Sequence, residues 1–445
     1  MSHPFPNTIS HSISNEFKDR TRSSWSWANE GNLPTRDRAV DKYKPPHIKA
    51  LKDWASGKLI KVVNVSDLPY VEMSLKIERC EYLASYNWLD SPKDPIILIP
   101  GSPPLWSPSL STRRLKEDSG QYFRDLNAAR YPHHPIEPSF RALLAMHPDV
   151  DLSSFDIVGC GSTLGNLLRF CEGIDKDFRF DVDRVRDTVF FIRKESSPRA
   201  LIPNICGYGH SFHEAHTIWE PDVKGSVSHQ RIIQYHFGGL KFLVRSESDG
   251  YLKQAAGLDT QANDAETANA KDPPESEEDL VKAQQETEAD NCALLEALRI
   301  TEGPSSIVRP LRIEMRGRQI PQKAIFDLKT RAKETRRPID MNEVYRRLWV
   351  NQTPYFMFAE HFRGFFEPRD IQPVSVSDGI SKWEKDCEAL LKHYQATVIE
   401  IMTATRSSVT GKLQVIRRGS GPLEIQERAS EDNTDVLPHD LRSKW

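Results

Sequence analysis

Long apolar runs are missing from this 445-residue chain: nothing in it approaches the roughly 20 consecutive residues of a membrane-crossing helix. The strongest apolar stretch, Pro95–Pro100, is short enough to be a buried strand. The amino terminus lacks the charged-then-apolar order of a secretory leader. Its Arg20 and Arg22 are offset by Glu16, Asp19 and Glu30, which argues against a mitochondrial leader. Cysteine is scarce. Cys80, Cys160, Cys171, Cys206, Cys292 and Cys387 form no C-x-x-C pair and are too sparse for a disulfide framework. Free thiols in a reducing, intracellular compartment, nuclear or cytoplasmic, are expected, and a cysteine zinc site is not expected. Also absent are a G-x-S-x-G elbow, an H-E-x-x-H motif, a Walker lysine and any internal repeat. These absences remove serine hydrolases, zincins and P-loop enzymes from consideration.

What is present is charge, unevenly spread. Residues 258–290 hold eleven acids against Lys271 and Lys282, whereas the remainder carries 58 Lys and Arg against 52 Asp and Glu. That mildly basic body suits a polyanionic partner as well as an ordinary solvated surface. The organisation expected is a flexible polar arm over 1–75, one domain over 76–428 and a flexible tail over 429–445. A short helix is expected in the arm near His47–Trp54. Residues 255–293, acidic and interrupted by Pro273-Pro274, read as a disordered insertion inside the domain, because apolar patterning resumes at Leu294–Ile300 and Ile307–Met315.

Alternation predicts strands at Glu78–Trp88, Ile96–Ile99 and Phe155–Val158. It also predicts a hairpin from Phe178–Val182 to Thr188–Lys194. A second hairpin, Gln230–Phe237 to Leu240–Glu247, turns at Gly238-Gly239. Further strands are expected at Lys323–Arg331, Pro354–Phe362 and Phe365–Phe366, with a last hairpin at Lys412–Ile416 and Leu423–Gln426. Helical spacing predicts helices at Ser139–Met146, Asn166–Cys171 (with Ser162 or Thr163 as cap), Ser211–Trp219 and Gly379–Met402.

Two of these strands carry the chemistry. One ends in Glu247-Ser248-Asp249 and the other holds Asp327-Leu328-Lys329. Residues two apart on a strand share a face, so neighbouring strands would bring three carboxylates and one ammonium together. Clustered carboxylates repel unless a cation sits among them, and hard oxygen ligands suit Mg²⁺ or Mn²⁺. Such ions hold a phosphodiester, activate a water and neutralise the leaving oxygen, with Lys329 stabilising charge at phosphorus or orienting the water. Glu214 on the preceding helix supplies a fourth carboxylate. This is the D-x(n)-(D/E)-x-K arrangement of the PD-(D/E)XK nuclease fold. The fold class expected is therefore α/β, a central mixed twisted sheet flanked by helices.

The context resembles the DXO-type decapping and 5′→3′ exoribonuclease family from about Glu117 to Gln426. Gly209-His-Ser-Phe-His-Glu214 resembles that family's Gly-to-Glu motif, with His210 at an apolar place. Leu240–Asp249 resembles its E-h-D strand, and Ala324–Lys329 its E-h-K strand with Asp327 for Glu. Phe155–Cys171 with the hairpin that follows resembles its upstream segment. Leu348–Gln352 followed by Pro354–Phe366 resembles its next helix and strand. The resemblance implies metal ligation by Glu214, Glu247, Asp249 and Asp327, assistance by Lys329, and substrate contact by Gln352. It also implies an upstream Arg at the substrate phosphates, but Gly159-Cys-Gly-Ser-Thr163 contains none. The chain is similar, too, to a fungal family sometimes labelled geranylgeranyl pyrophosphate synthase. It lacks the D-D-x-x-D clusters that activity needs.

Arg245, which shares a face with Glu247, either pairs with a carboxylate or touches phosphate. Arg331, Lys333, Arg336, Arg337, Arg346 and Arg347 are placed to hold a nucleic-acid backbone, or else form a charged face. His210, His213 and His216 invite a zinc reading by spacing alone. Gly159–Gly165 reads as a helix-opening turn rather than a phosphate loop, and Trp88, Trp106, Trp349 and Trp383 read as core or rim. The function expected is metal-dependent hydrolysis of RNA, at 5′ ends by the resemblance, with no membrane association and room for a protein partner. The alternative is a catalytically inactive nuclease-fold module that binds RNA or protein. DNA in place of RNA is also open, since phosphate contacts do not distinguish the sugars.

Overall fold

The computed structural model describes residues 57–69, 75–91, 94–108, 113–258, 309–335, 339–368, 371–429 and 434–445, all within the unit Ala50–Trp445. The expected helix at 47–54, the body of the acidic insertion and the patterned stretch 294–300 lie outside the described residues.

Strands and helices alternate along the chain, and the strands assemble into two sheets. The first has eleven strands in the spatial order Leu59–Val63, Leu423–Glu427, Leu413–Arg417, Phe178–Val185, Thr188–Arg193, Ile157–Cys160, Leu240–Glu247, Ser226–Phe237, Glu78–Leu89, Ile96–Gly101 and Arg312–Gly317. It is mixed: Leu240–Glu247 runs parallel to Ile157–Cys160 and antiparallel to Ser226–Phe237. The central strands are covered on both faces, so adjacent residues enter different cores. Ile157, Ile233 and Val244 meet one group of helices. That group comprises Gly161–Cys171, Met341–Asn351 and Glu388–Ser407. Val158, Ile232 and Leu243 meet the helix Glu137–Met146 on the other side. The expected α/β class with a mixed sheet flanked by helices is therefore the one found. A second sheet adds Phe365–Phe366, Tyr355–Phe362, Ile325–Ala332, Gly250–Tyr251, Leu105–Trp106 and Thr217–Ile218, with Pro373–Ser375 on Tyr355–Phe362.

Four expectations need correction. The ordered body begins before residue 76, because Leu59–Val63 pairs antiparallel with Leu423–Glu427. The end of the chain is not a flexible tail over 429–445. Leu437, Leu441 and Trp445 are buried, the Trp445 ring lies against Phe140 and Phe190, and its Nε1 donates to Thr188 Oγ1 at 3.0 Å. The polar residues between these anchors hid them from a composition reading. The single helix expected over 379–402 is two, Ser377–Asp386 and Glu388–Ser407, broken at Cys387. Finally, Cys160, not Ser162 or Thr163, precedes the helix Gly161–Cys171. The chain enters that helix so close to Asn351 that a Cβ on Gly161 would meet its Oδ1 at 2.0 Å.

Cys80, Cys160, Cys171, Cys206 and Cys387 are free thiols, and no helix among the described residues is long and apolar enough to cross a membrane.

Candidate functional site

Glu247 and Asp327 belong to different sheets, so the neighbouring-strand arrangement expected from the sequence is not the one that forms. Asp249, at the point where the chain steps between sheets, is the group that acts on both. Strand Leu240–Glu247 ends in the first sheet. Ser248 donates its N–H to His229 O (3.0 Å), and Gly250–Tyr251 then joins Ile325–Phe326 of the second sheet. The crossing is tight: a Cβ on Gly250, which has φ +158°, would lie 2.4 Å from the Phe326 ring and 2.8 Å from Pro104 O. Asp249 stands at this step. Its Oδ2 accepts from Leu328 N–H at 2.6 Å, which fixes it beside Asp327 and Lys329.

Electrostatics reports the convergence. Glu247 is open to solvent at one end but walled by protein, and its carboxyl is pushed up to about 7. Loss of hydration is the first cause, followed by the charges of Asp249 and Asp125, with Arg245 and Gln230 opposing. Asp327 is raised as well, first by burial and then by Asp249, against Arg347 and Lys329. Lys329 Nζ lies 4.0 Å from Glu343 Oε2 on helix Met341–Asn351, whose Arg347 is hydrogen-bonded to Asp327.

Glu214 sits on the exposed side of helix Gly209–His216. The opposite side buries Phe212 and His216 against Trp106 and Phe366. Its carboxyl is raised mainly by burial, and Asp118 contributes. The helix is tied to the crossing by His213, whose Nε2 lies 2.6 Å from Asp249 O. A carbonyl only accepts, so Nε2 carries the proton. His210 stacks on Tyr122 with ring centroids 3.5 Å apart, and His216 bonds its own Phe212 O. The three histidines therefore do not share a ligand point, and the zinc reading falls.

Three of the expected substrate contacts are engaged elsewhere. Arg245 is buried, with Nη1 donating to Pro135 O (2.9 Å) and Nη2 3.9 Å from Asp125 Oδ2, so it pairs with a carboxylate rather than touching phosphate. Gln352 takes a left-handed conformation at φ +50° and folds its amide back onto Trp349 O (2.6 Å). Arg331 shares the face of Asp327 and Lys329 but pairs with Glu360 at 3.1 Å.

The sequence reading also missed several groups. Asp118 caps the Glu214 helix by accepting from the N–H groups of His210 (3.0 Å) and Ser211 (2.9 Å). It lies over ninety residues upstream, so no local signal marks it. Asp125 does have one, as the acid before helix Leu126–Arg130, whose Asn127 N–H it accepts at 3.0 Å.

The donor chemistry suits a hard divalent cation: the charge of Asp249 presses on both Glu247 and Asp327, and a cation beside these oxygens would reverse both shifts. Among the described residues, no three His, Cys, Asp or Glu side chains already close round a common point. Instead, Arg347 engages Asp327 and the Leu328 N–H engages Asp249.

Solved structures with this architecture define the class: the chain has the Rai1 fold. Scheffersomyces stipitis Rai1 in complex with (3′-NADP)⁺ and calcium ion matches at TM-score 0.53 and 11% identity, over 88% of this chain and 98% of that one. S. pombe Rai1 in complex with 3′-FADP matches at 0.51 and 10%, over 83% and 99%. Candida albicans Rai1 in complex with pU5-Mn²⁺ matches at 0.50 and 12%, over 86% and 98%. A search of curated proteins finds no match. Within that fold, the chain belongs to the family described as "Domain of unknown function (DUF8563)", whose model covers residues 57–445.

Proposed function

We propose that this protein is a divalent-metal-dependent phosphodiesterase that hydrolyses RNA, acting at or near a 5′ end. The observation that carries the reading is Asp249: where the chain passes between sheets, its charge raises both Glu247 and Asp327, and it accepts from Leu328 N–H next to Lys329. Three carboxylates with raised or mutually opposed charge, open to solvent on one side, suit a cation and a phosphate together.

Glu247, Asp249 and Asp327 would hold Mg²⁺ or Mn²⁺, with Glu214 joining from its helix. When bound, the metal supplies Lewis-acid polarisation of the phosphodiester and a lowered pKa for the attacking water. The chain's own residues do the rest. Asp249, clamped by Leu328 N–H and by His213 on its carbonyl, keeps the ligand geometry. Lys329, held only loosely by Glu343, is free to turn its ammonium to the oxygen on which negative charge grows. Support from outside the chain is at the level of fold: relatives of that fold have been solved with pU5-Mn²⁺, 3′-FADP, and (3′-NADP)⁺ with calcium.

One observation favours a second reading, a catalytically inactive RNA-binding module: the Arg347 guanidinium is hydrogen-bonded to Asp327 on the surface a metal would use. Cleavage of a 5′-monophosphate RNA in Mn²⁺ separates the two. The wild type is expected to cleave, and Asp249→Ala/Asp327→Ala to lose cleavage with its circular dichroism unchanged. Equal behaviour of the two proteins overturns catalysis. RNA binding without cleavage in both selects the module.

A further inference from the structure

The end of helix Gly161–Cys171 and the turn after it carry cations that the carboxylate cluster does not use. Arg169, in the last turn, donates Nη1 to Asn166 Oδ1 (3.1 Å) and holds Nη2 at 3.9 Å from Glu343 Oε1. The other oxygen of Glu343 is 4.0 Å from Lys329 Nζ, so one half-exposed carboxylate links Arg169 to the lysine of the candidate site. Both contacts are long. Lys176, in the turn before strand Phe178–Val185, is exposed and has no ion pair among the described residues. Its ammonium is pushed down to about 8, first by loss of hydration and then by Arg169 and Arg193.

Arg346 and Arg347, adjacent on helix Met341–Asn351, press on Arg169 as well. Arg346 is 2% exposed, pairs with Glu172, and keeps Nε and Nη1 without partners. The six cations Arg169, Lys176, Arg193, Lys329, Arg346 and Arg347 face the carboxylates Glu172, Glu195, Glu343, Asp327 and Asp125, and Asp175 and Asp177 flank Lys176 in the chain. Within this group, Arg169 and Lys176 repel each other, and an anion between them would relieve that repulsion.

We propose that Arg169 and Lys176, continuing from Lys329, form a phosphate-binding rim that grips a phosphate of a single nucleic-acid strand entering the carboxylate site. The rim supplies one fork and one point charge, the pairing that suits a tetrahedral phosphate with oxygens on several sides. It rests on the reading above only for the polymer that brings the phosphate. That phosphate is either a 5′-terminal group or an internal phosphodiester.

The test is binding of fluorescein-labelled single-stranded oligouridylate, with a 5′-phosphate or a 5′-hydroxyl, to the full chain in EDTA over a salt series. Lys176→Ala and Arg169→Ala are each expected to weaken binding about 10-fold and to lower the salt slope by about 1, while Lys176→Arg keeps both. Loss confined to the 5′-phosphorylated strand assigns the rim to the terminal phosphate, and equal loss with both strands assigns it to the backbone. Either result supports the rim. Wild-type affinity and slope in both alanine variants overturn it. So does a wild type that binds no oligouridylate, or one that binds polyglutamate as tightly. Lys176-dependent binding by a wild type that cleaves nothing in Mn²⁺ keeps the rim and removes only the catalytic reading.

Discussion

Glu247 is a carboxyl whose native environment works against its own charge. In the folded chain loss of hydration pushes it up to about 7, against roughly 4.3 when unfolded. Between those values the native state holds the extra proton, so the ionised group opposes folding, and stability falls as pH rises from about 4 through 7. Asp327 acts in the same direction. In EDTA, Glu247→Gln/Asp327→Asn is therefore expected to raise the melting temperature relative to wild type by more at pH 7.5 than at pH 5. Mn²⁺ should raise wild type most at the higher pH and the variant little. Calorimetry showing the same increment at both pH values would remove the electrostatic account of the site.

At the scale of elements, the question is how a helix and a strand crossing keep their carboxylates in register. Helix Gly209–His216 is short and is anchored at one end by Asp118 and along one side by Phe212 and His216. His213 on Asp249 O links it to the crossing. A glutamine places its amide nitrogen about where imidazole Nε2 lies, whereas alanine leaves the carbonyl unheld. His213→Ala is expected to weaken Mn²⁺ binding about 10-fold, the usual effect of removing a group that orients a metal ligand, and His213→Gln to restore most of it. Titration followed by electron paramagnetic resonance checks this. Equal weakening in Ala and Gln would mean that the imidazole acts in some other way.

Across the whole molecule, the eleven-stranded sheet is closed at distant points by the ends of the described chain. Leu59–Val63 extends one edge. At the other end, Asp435 binds Lys412 Nζ (2.6 Å) and Arg442, and Arg141 bridges to Asp440 (2.7 Å), which brings Trp445 onto Phe140 and Phe190. Trp445→Ala is expected to cost about 3 kcal/mol in chemical denaturation, through loss of a buried indole and the cavity it leaves. A loss under about 0.5 kcal/mol, the range of ordinary surface substitutions, would show that the segment contributes little.

Local pattern was enough for much of this. The hairpins at 178–194 and 230–247, a strand within 323–331 and the α/β class follow from two-residue alternation and turn residues, which act over a few positions. The candidate site's E-x-D and D-x-K pairs could be picked out for the same reason, since both motifs are short. What tertiary structure alone decided is how those pieces meet. No local signal says that Gly250 carries the chain from one sheet to another, that Asp118 caps a helix over ninety residues away, or that Arg245 is spent on Asp125. Nor does any say that Trp445 closes a core. Each depends on side chains brought together by the packing of distant segments, and a sequence specifies such meetings only through the free energy of the whole fold.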